Sequence, residues 1–113
     1  MADCLFCSIV AGDIPADIVL ANDDVIAFRD IAPQAPTHVL VIPRAHHANV
    51  GDLATDAPDA TAAVLAAAKQ VAEAEGIGDA YRLVFNTGEG AGQTVFHVHA
   101  HVLGGRDLEW PPG

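Results

Sequence analysis

The chain has 113 residues, enough for one small domain with its own core. About half of it, 51%, is apolar and few residues are aromatic, as in an ordinary soluble globular protein. A formal net charge of −10, from 5 basic and 15 acidic residues, excludes non-specific nucleic-acid binding through a basic face but leaves a nucleotide ligand open, because backbone N–H groups can hold phosphate without lysine.

The first stretch, MADCLFCSIVAGD, is acidic and lacks the basic start of a secretory signal. No apolar run approaches the about 18 residues of a membrane span. These features predict a cytoplasmic protein with no membrane partner. Cys4 and Cys7, with two residues between them in such a chain, suggest metal ligation or redox work more than a structural disulfide.

In chain order, DCLFCSIVAG predicts a short helix capped by Asp3 and stopped near Gly12. Two short strands follow at 17–21 and 24–29, turned by Asn22-Asp23. IAPQAPTH, with two prolines, is a loop. HVLVIP is a mostly apolar strand ended by Pro43, which predicts a central strand. RAHHANVGDLAT reads as a connection. Residues 56–78 form the one long helix, rich in alanine and ended by Gly76 or Gly78. YRLVFNTG is a strand, EGAGQ a glycine-rich loop, TVFHVHAHVLGG the last strand, and RDLEWPPG an irregular tail. The last two strands form an antiparallel hairpin. The sum is an α+β domain with an antiparallel sheet and helices packed on one face. Such a sheet can leave a face or an edge for a second subunit.

The six histidines fall in two clusters, His38 with His46 and His47, and His97 with His99 and His101. Strand alternation sends Phe96, Val98, Ala100 and Val102 to the core. The three histidines then form a row on the other face, about 6.6 Å apart at Cα. Threonine, lysine or glutamate would serve a plain solvated face, so three histidines in register ask for chemistry. Imidazole is a zinc ligand, yet neighbours two apart on a flat strand converge poorly on one ion. A catalytic row is easier to build: one imidazole attacks, with its other ring nitrogen held by a carbonyl, and a second gives or takes a proton. The preceding loop, NTGEGAGQTV, spaces Gly88, Gly90 and Gly92 two apart. It opens onto a strand and lacks Lys-Ser/Thr, so it is neither a P-loop nor a Rossmann turn. It brings Asn86, Gln93 and Thr94 beside the histidines, a set suited to an anionic group such as phosphate. A plain flexible hairpin loop is the alternative.

QTVFHVHAHVL resembles the His-x-His-x-His-x-x motif of the histidine triad (HIT) family, and FRDIAPQAPTHVLVIP resembles that family's nucleoside-binding strand and loop. GGRDLEWPPG is similar to the C-terminus of the Hint-type branch, the histidine triad nucleotide-binding proteins. The resemblance covers nearly the whole chain as a single HIT domain, 1–113. It implies a five-stranded antiparallel sheet with one long and one short helix, dimerising into a ten-stranded sheet, with the tail 104–113 reaching toward the partner. It also implies a purine-nucleotide hydrolase or transferase, in this branch one that cleaves the P–N bond of nucleoside 5′-phosphoramidates.

On that resemblance His99 is the nucleophile, forming a nucleotidyl-histidine. His101 contacts the phosphate and helps protonate the leaving group, and His97 holds the row in register through a link to His38. Asp30 binds the ribose, Phe28 and Ile31 line the base pocket, and Asn86, Gly92, Gln93 and Thr94 contact the phosphate or leaving group. Trp110 lies near the partner's active site. Thr94 stands where many members carry serine and keeps the hydroxyl. Cys4-x-x-Cys7 with PRAHH resembles the zinc-binding bacterial members, which implies a structural zinc held by Cys4, Cys7, His46 and His97. A closed Cys2His2 set is structural, not catalytic. If His97 binds zinc, its link to His38 is indirect or absent.

Plainer roles stand beside these. The cysteines could be two thiols on a short helix. Asp30 could cap the loop after its strand, Trp110 could only pack on the sheet, Arg106 could neutralise an acidic neighbour, and His47 is left exposed without a role. The acidic residues in 52–59 read as a solvated helix N-terminus favoured by the helix dipole. Two rival functions remain: dinucleoside polyphosphate hydrolysis, which the Trp-Pro-Pro-Gly ending disfavours, and a nucleotide-binding interaction module with incidental catalysis.

Overall fold

A computed structural model describes residues 4–113. The expected Asp3 cap lies outside the described residues. Helix α1, Leu5–Val10, takes Cys4 as its N-cap, whose Sγ accepts the Cys7 N–H at 3.3 Å. Strands β1 (Ile18–Ala21) and β2 (Val25–Arg29) are turned by Asn22, whose Oδ1 accepts the N–H groups of Asp24 and Val25. Strand β3 spans Thr37–Pro43. Helices α2 (Val50–Asp56) and α3 (Pro58–Ala74) follow, then β4 (Tyr81–Val84), a 3-10 turn at Glu89–Ala91, and β5 (Ala100–Gly104).

The described strands form one antiparallel sheet in the order β1-β2-β3-β5-β4, so β3 is central as its apolar run predicts. Side-chain alternation divides that sheet between two cores. Val25, Ala27, Val39, Val41, Ala100 and Val102 face α2 and α3, against Leu53, Val64 and Val71. Ile26, Phe28, Leu40 and Ile42 face the other way, against Phe6 and Ile9 of α1. The helices therefore cover both faces, not one, because α1 carries its own apolar pair to the face away from α3. No helix among the described residues is long and apolar enough to cross a membrane.

Three element readings change. Within the expected connection, Asn49 caps α2 through its side chain to the Asp52 N–H at 2.9 Å, and Leu53 is fully buried. Strand β4 stops at Val84, short of Gly88. The last strand begins only at Ala100, and residues 94–99 run outside the ladder. Alternation therefore fails there: Phe96, expected in the core, is 51% exposed, although Val98, Ala100 and Val102 are buried as expected. The long helix ends as predicted, with Gly76 at φ +78° just past its C-cap, Glu75.

Arg29, at the end of β2, holds Glu75 by a two-pronged pair, Nη1 to Oε1 at 2.7 Å and Nη2 to Oε2 at 3.0 Å. The guanidinium hydrogen bond holds the Glu75 carboxyl below its ordinary value. A depressed carboxylate contributes stability above its unfolded pKa and loses it as pH falls through the folded one. Glu75→Gln is expected to cost about 0.5–1 kcal/mol at neutral pH. Urea unfolding at a series of pH values should show the difference shrinking in acid; a constant difference would refute the pairing.

Candidate functional site

Residues 94–99 have no strand partner, so their side chains and one main-chain bond hold them. Val98 N–H donates to the His47 carbonyl at 2.7 Å. His47, expected to be exposed, is thereby half-buried and ties this segment down. The His97 ring is fully buried, and its Nε2–H donates to the Pro43 carbonyl at 2.9 Å. That bond leaves Nδ1 with a lone pair, aimed at Cys4 Sγ and Cys7 Sγ, each 3.5 Å away. Cys7 Sγ also lies 3.3 Å from His46 Nδ1, and the four donor atoms all lie within 4.8 Å of one another. Donors bonded to one tetrahedral ion stand about 3.3–3.8 Å apart. Two thiols and two imidazoles on three separate segments thus match a closed four-ligand metal site.

The other histidines form a hydrogen-bonded relay on the α1 face of the sheet. Gln34 N–H donates to His38 Nδ1 at 3.0 Å, which leaves the His38 proton on Nε2. That Nε2–H donates to His101 Nδ1 at 2.9 Å, with Asp30 Oδ2 3.5 Å away. The His101 proton is therefore on Nε2. His99 donates its Nδ1–H to the His97 carbonyl at 2.9 Å, so its Nε2 carries a bare lone pair. The rings of His99 and His101 lie 4.9 Å apart between centroids.

This arrangement corrects one expected link: His38 reaches His101, not His97. Both lie on adjacent strands of the ladder and on the same face of it, whereas His97 lies beyond β5 and turns toward the end of β3. Burial lowers the pKa of His38 and of His99. Burial first, then the neighbouring His99 and His38, push His101 down to about 4. All three rings are neutral at pH 7, as a nitrogen nucleophile requires.

His99 and His101 line a cavity of about 650 Å³, a size suited to a nucleotide. Phe28, Asp30, Ile31 and Thr94 line it too, as expected from the sequence. Asp30 also caps its loop, with Oδ1 accepting the Ala32 N–H at 2.8 Å, the plainer of the two roles foreseen for it. The opposite wall is Leu5, Phe6 and Ile9 of α1, which sequence reasoning missed. Their only signal was the apolar spacing of a six-residue helix.

Asn86, Gly92, Gln93 and Trp110 do not line this cavity. Asn86 packs beside Gly92. Gln93 is 2% exposed: its Oε1 accepts the Gly88 N–H, and its Nε2 donates to the carbonyls of Ala48 and Val95. Its amide is spent on fastening the glycine loop, so it has no capacity left for a phosphate. Trp110 is 83% exposed on a tail that Arg82 holds through the Leu108 and Glu109 carbonyls. Arg106 donates to the Gln34 and Asp107 carbonyls instead of pairing with an acid.

With His101 at about 4 in the fold and 6.5 ordinarily, the unfolded chain takes up the proton first as pH falls. The fold therefore loses stability through that window and keeps it above. His101→Gln removes this titration. Thermal unfolding should show the wild-type Tm falling further than the variant's between neutral pH and about pH 4.5. Equal falls would show that His101 does not titrate with folding.

Comparison with known proteins agrees with this geometry. The family described as HIT domain matches residues 11–108. A HIT-like protein of Synechococcus elongatus is 48% identical over 111 residues, covering 98% of this chain and 97% of its own. The crystal structure of a HIT family hydrolase from Legionella pneumophila is 51% identical, covers 98% of this chain and 100% of its own, and superposes with a TM-score of 0.94. A histidine triad nucleotide-binding protein from Candida albicans is 29% identical, covers 96% and 83% of the two chains, and has a TM-score of 0.84.

Proposed function

Because the chain belongs to the HIT domain family, we propose that it binds a purine nucleotide and hydrolyses nucleoside 5′-phosphoramidates at the α-phosphate. The observation that carries this reading is the pair of neutral rings in the cavity. His99 offers a bare Nε2, fixed by its Nδ1–H bond to the His97 carbonyl, and His101 beside it offers an Nε2–H. The family hydrolase from Legionella pneumophila and the nucleotide-binding protein from Candida albicans support it at a coarser level.

The base would lie between Phe28, Ile31 and the α1 wall, with the ribose hydroxyls donating to Asp30. In the first step His99 Nε2 attacks phosphorus and the P–N bond breaks. His101 Nε2–H donates to the phosphoryl group, and the leaving amine takes up a solvent proton on that side. The product is a nucleotidyl-histidine that keeps its Nδ1–H on the His97 carbonyl. In the second step water attacks phosphorus, the P–Nε2 bond breaks, and a proton returns to solvent. A neutral imidazole suits this work, since an anionic nucleophile would be repelled by the phosphate. Thr94, which lines the cavity, would donate its hydroxyl to a phosphoryl oxygen.

Cys4, Cys7, His46 and His97 would hold a zinc ion. With no open position, it would supply a structural cross-link and no Lewis acid. The reading also includes a homodimer, with the five-stranded sheets joined into one and Trp110 of the tail near the second copy's cavity; light scattering in solution tests it.

Adenosine 5′-phosphoramidate should be turned over in preference to diadenosine polyphosphates, and the reverse preference would sink the phosphoramidase reading. His99→Ala should lower kcat by about 10³-fold or more, and rapid quench with mass spectrometry should find the nucleotide on His99 in the wild type. An unaffected rate would rule out the covalent route. Protein purified without chelator should carry close to one zinc per chain by elemental analysis. A trace amount would refute the zinc assignment.

A further inference from the structure

The metal-ligating cluster and the row of neutral histidines share a residue and a neighbour. His97 works at three points. Its Nδ1 faces the two sulfurs, its Nε2–H is tied to Pro43, and its main-chain carbonyl receives the Nδ1–H of His99. The segment carrying it has no ladder to hold it; it is tied by Val98 N–H on His47, by Gln93 Nε2–H on the Val95 carbonyl and, around His97 itself, by these ring contacts. The placement of the His97 carbonyl therefore depends on what its ring is bonded to.

The neighbour is Phe6. Helix α1 has six residues, too few to be stable alone, and it begins at the two thiols. Phe6 sits between Cys4 and Cys7 in the chain and is 4% exposed. Its ring meets His99 edge-on, with centroids 5.1 Å apart and planes at 88°, and it also touches His97 at 6.0 Å and Phe28 at 5.4 Å. Whatever holds the sulfurs also sets the wall against which the His99 imidazole rests.

We infer that Cys4, Cys7 and His46 are positioning residues for His99. Ligating a zinc ion with His97, they hold the carbonyl that fixes the His99 tautomer and the Phe6 ring that fixes its plane. The inference rests on the proposed function only in taking His99 as the attacking group. The cluster is thus more than a staple. It sets the fraction of molecules in which Nε2 of His99 is bare and aimed into the cavity.

The test compares the wild-type chain loaded with zinc, stripped by a chelator, and reloaded with zinc alone. Three readouts are followed: ring nitrogen shifts of His99 in protein labelled with 15N-histidine, AMP binding by calorimetry, and kcat and KM on adenosine 5′-phosphoramidate. Loaded protein should show His99 as the single Nδ1–H tautomer. Stripping should give a mixture of tautomers and lower kcat about tenfold or more, with AMP affinity falling less, and zinc should restore all three. Phe6→Leu should lower kcat while zinc content stays unchanged.

If stripping unfolds the chain, His46→Asn, which removes the exposed ligand, supplies the same comparison. The inference is overturned if zinc does not bind, or if the folded, stripped protein keeps one tautomer and its kcat. If loaded wild type leaves the phosphoramidate untouched, the proposed reaction fails, and the nitrogen shifts still decide the positioning role.

Discussion

The alternation of side chains along β3 is the constraint on which the molecule turns. Val39 and Val41 point to α3, and His38, Leu40 and Ile42 point to α1. A shift of the strand by one residue would put His38 into the apolar core and strip that core of two valines. Because β5 pairs with β3 in the register Val39↔Val102, Ala100 and Val102 join the helix side. His101 is left on the α1 side beside His38. One register thus decides both where the protein is dry and where its imidazoles meet.

The imidazole relay is oriented from the main chain at both ends. An amide N–H of the loop before β3 sets His38, and through it His101; a carbonyl of residue 97 sets His99. Main-chain groups cannot change protonation, so the two rings in the cavity present opposite faces, one donor and one acceptor, at any pH where they are neutral. Burial in the cavity wall holds both below the ordinary imidazole value, His101 down to about 4. One carboxylate stands beside the relay: Asp30 lies 3.5 Å from His38 Nε2 and within 4.8 Å of the facing His101 nitrogen.

Much of this was legible in the sequence because it depends on periodicity and residue chemistry. The central strand, the antiparallel pairing of the last two strands, the long helix with its glycine stop, and the cavity residues Thr94, His99 and His101 follow from local pattern, whereas Phe28, Asp30 and Ile31 are implied by the family resemblance. What escaped depends on contacts between distant segments. The motif His97–His101 looks like one strand, but β4 ends at Val84 and offers no partner for residues before Ala100, so the histidines split between ladder and loop. Gln93 looked like a phosphate donor because only tertiary structure shows that Ala48 and Val95 consume its amide. Helix α2 was hidden in a polar stretch whose single strong anchor is Leu53. The Cys-x-x-Cys pattern, by contrast, pointed to its partners His46 and His97 through the resemblance alone, since nothing local joins Cys7 to residues 39 and 90 positions away.

The neutrality of the buried rings has a kinetic consequence when set beside the chain's net charge of −10. A cavity whose one lining cation, Arg29, is already paired with Glu75 and Asp17, and which also carries the Asp30 carboxylate, exerts little long-range pull on an anion. The field an approaching nucleotide feels is that of the acidic surface, and it is repulsive. Dissolved salt shortens the reach of that field. Capture of an anionic ligand by this protein should therefore quicken as ionic strength rises, the opposite of the behaviour of sites that draw in phosphate with lysine and arginine.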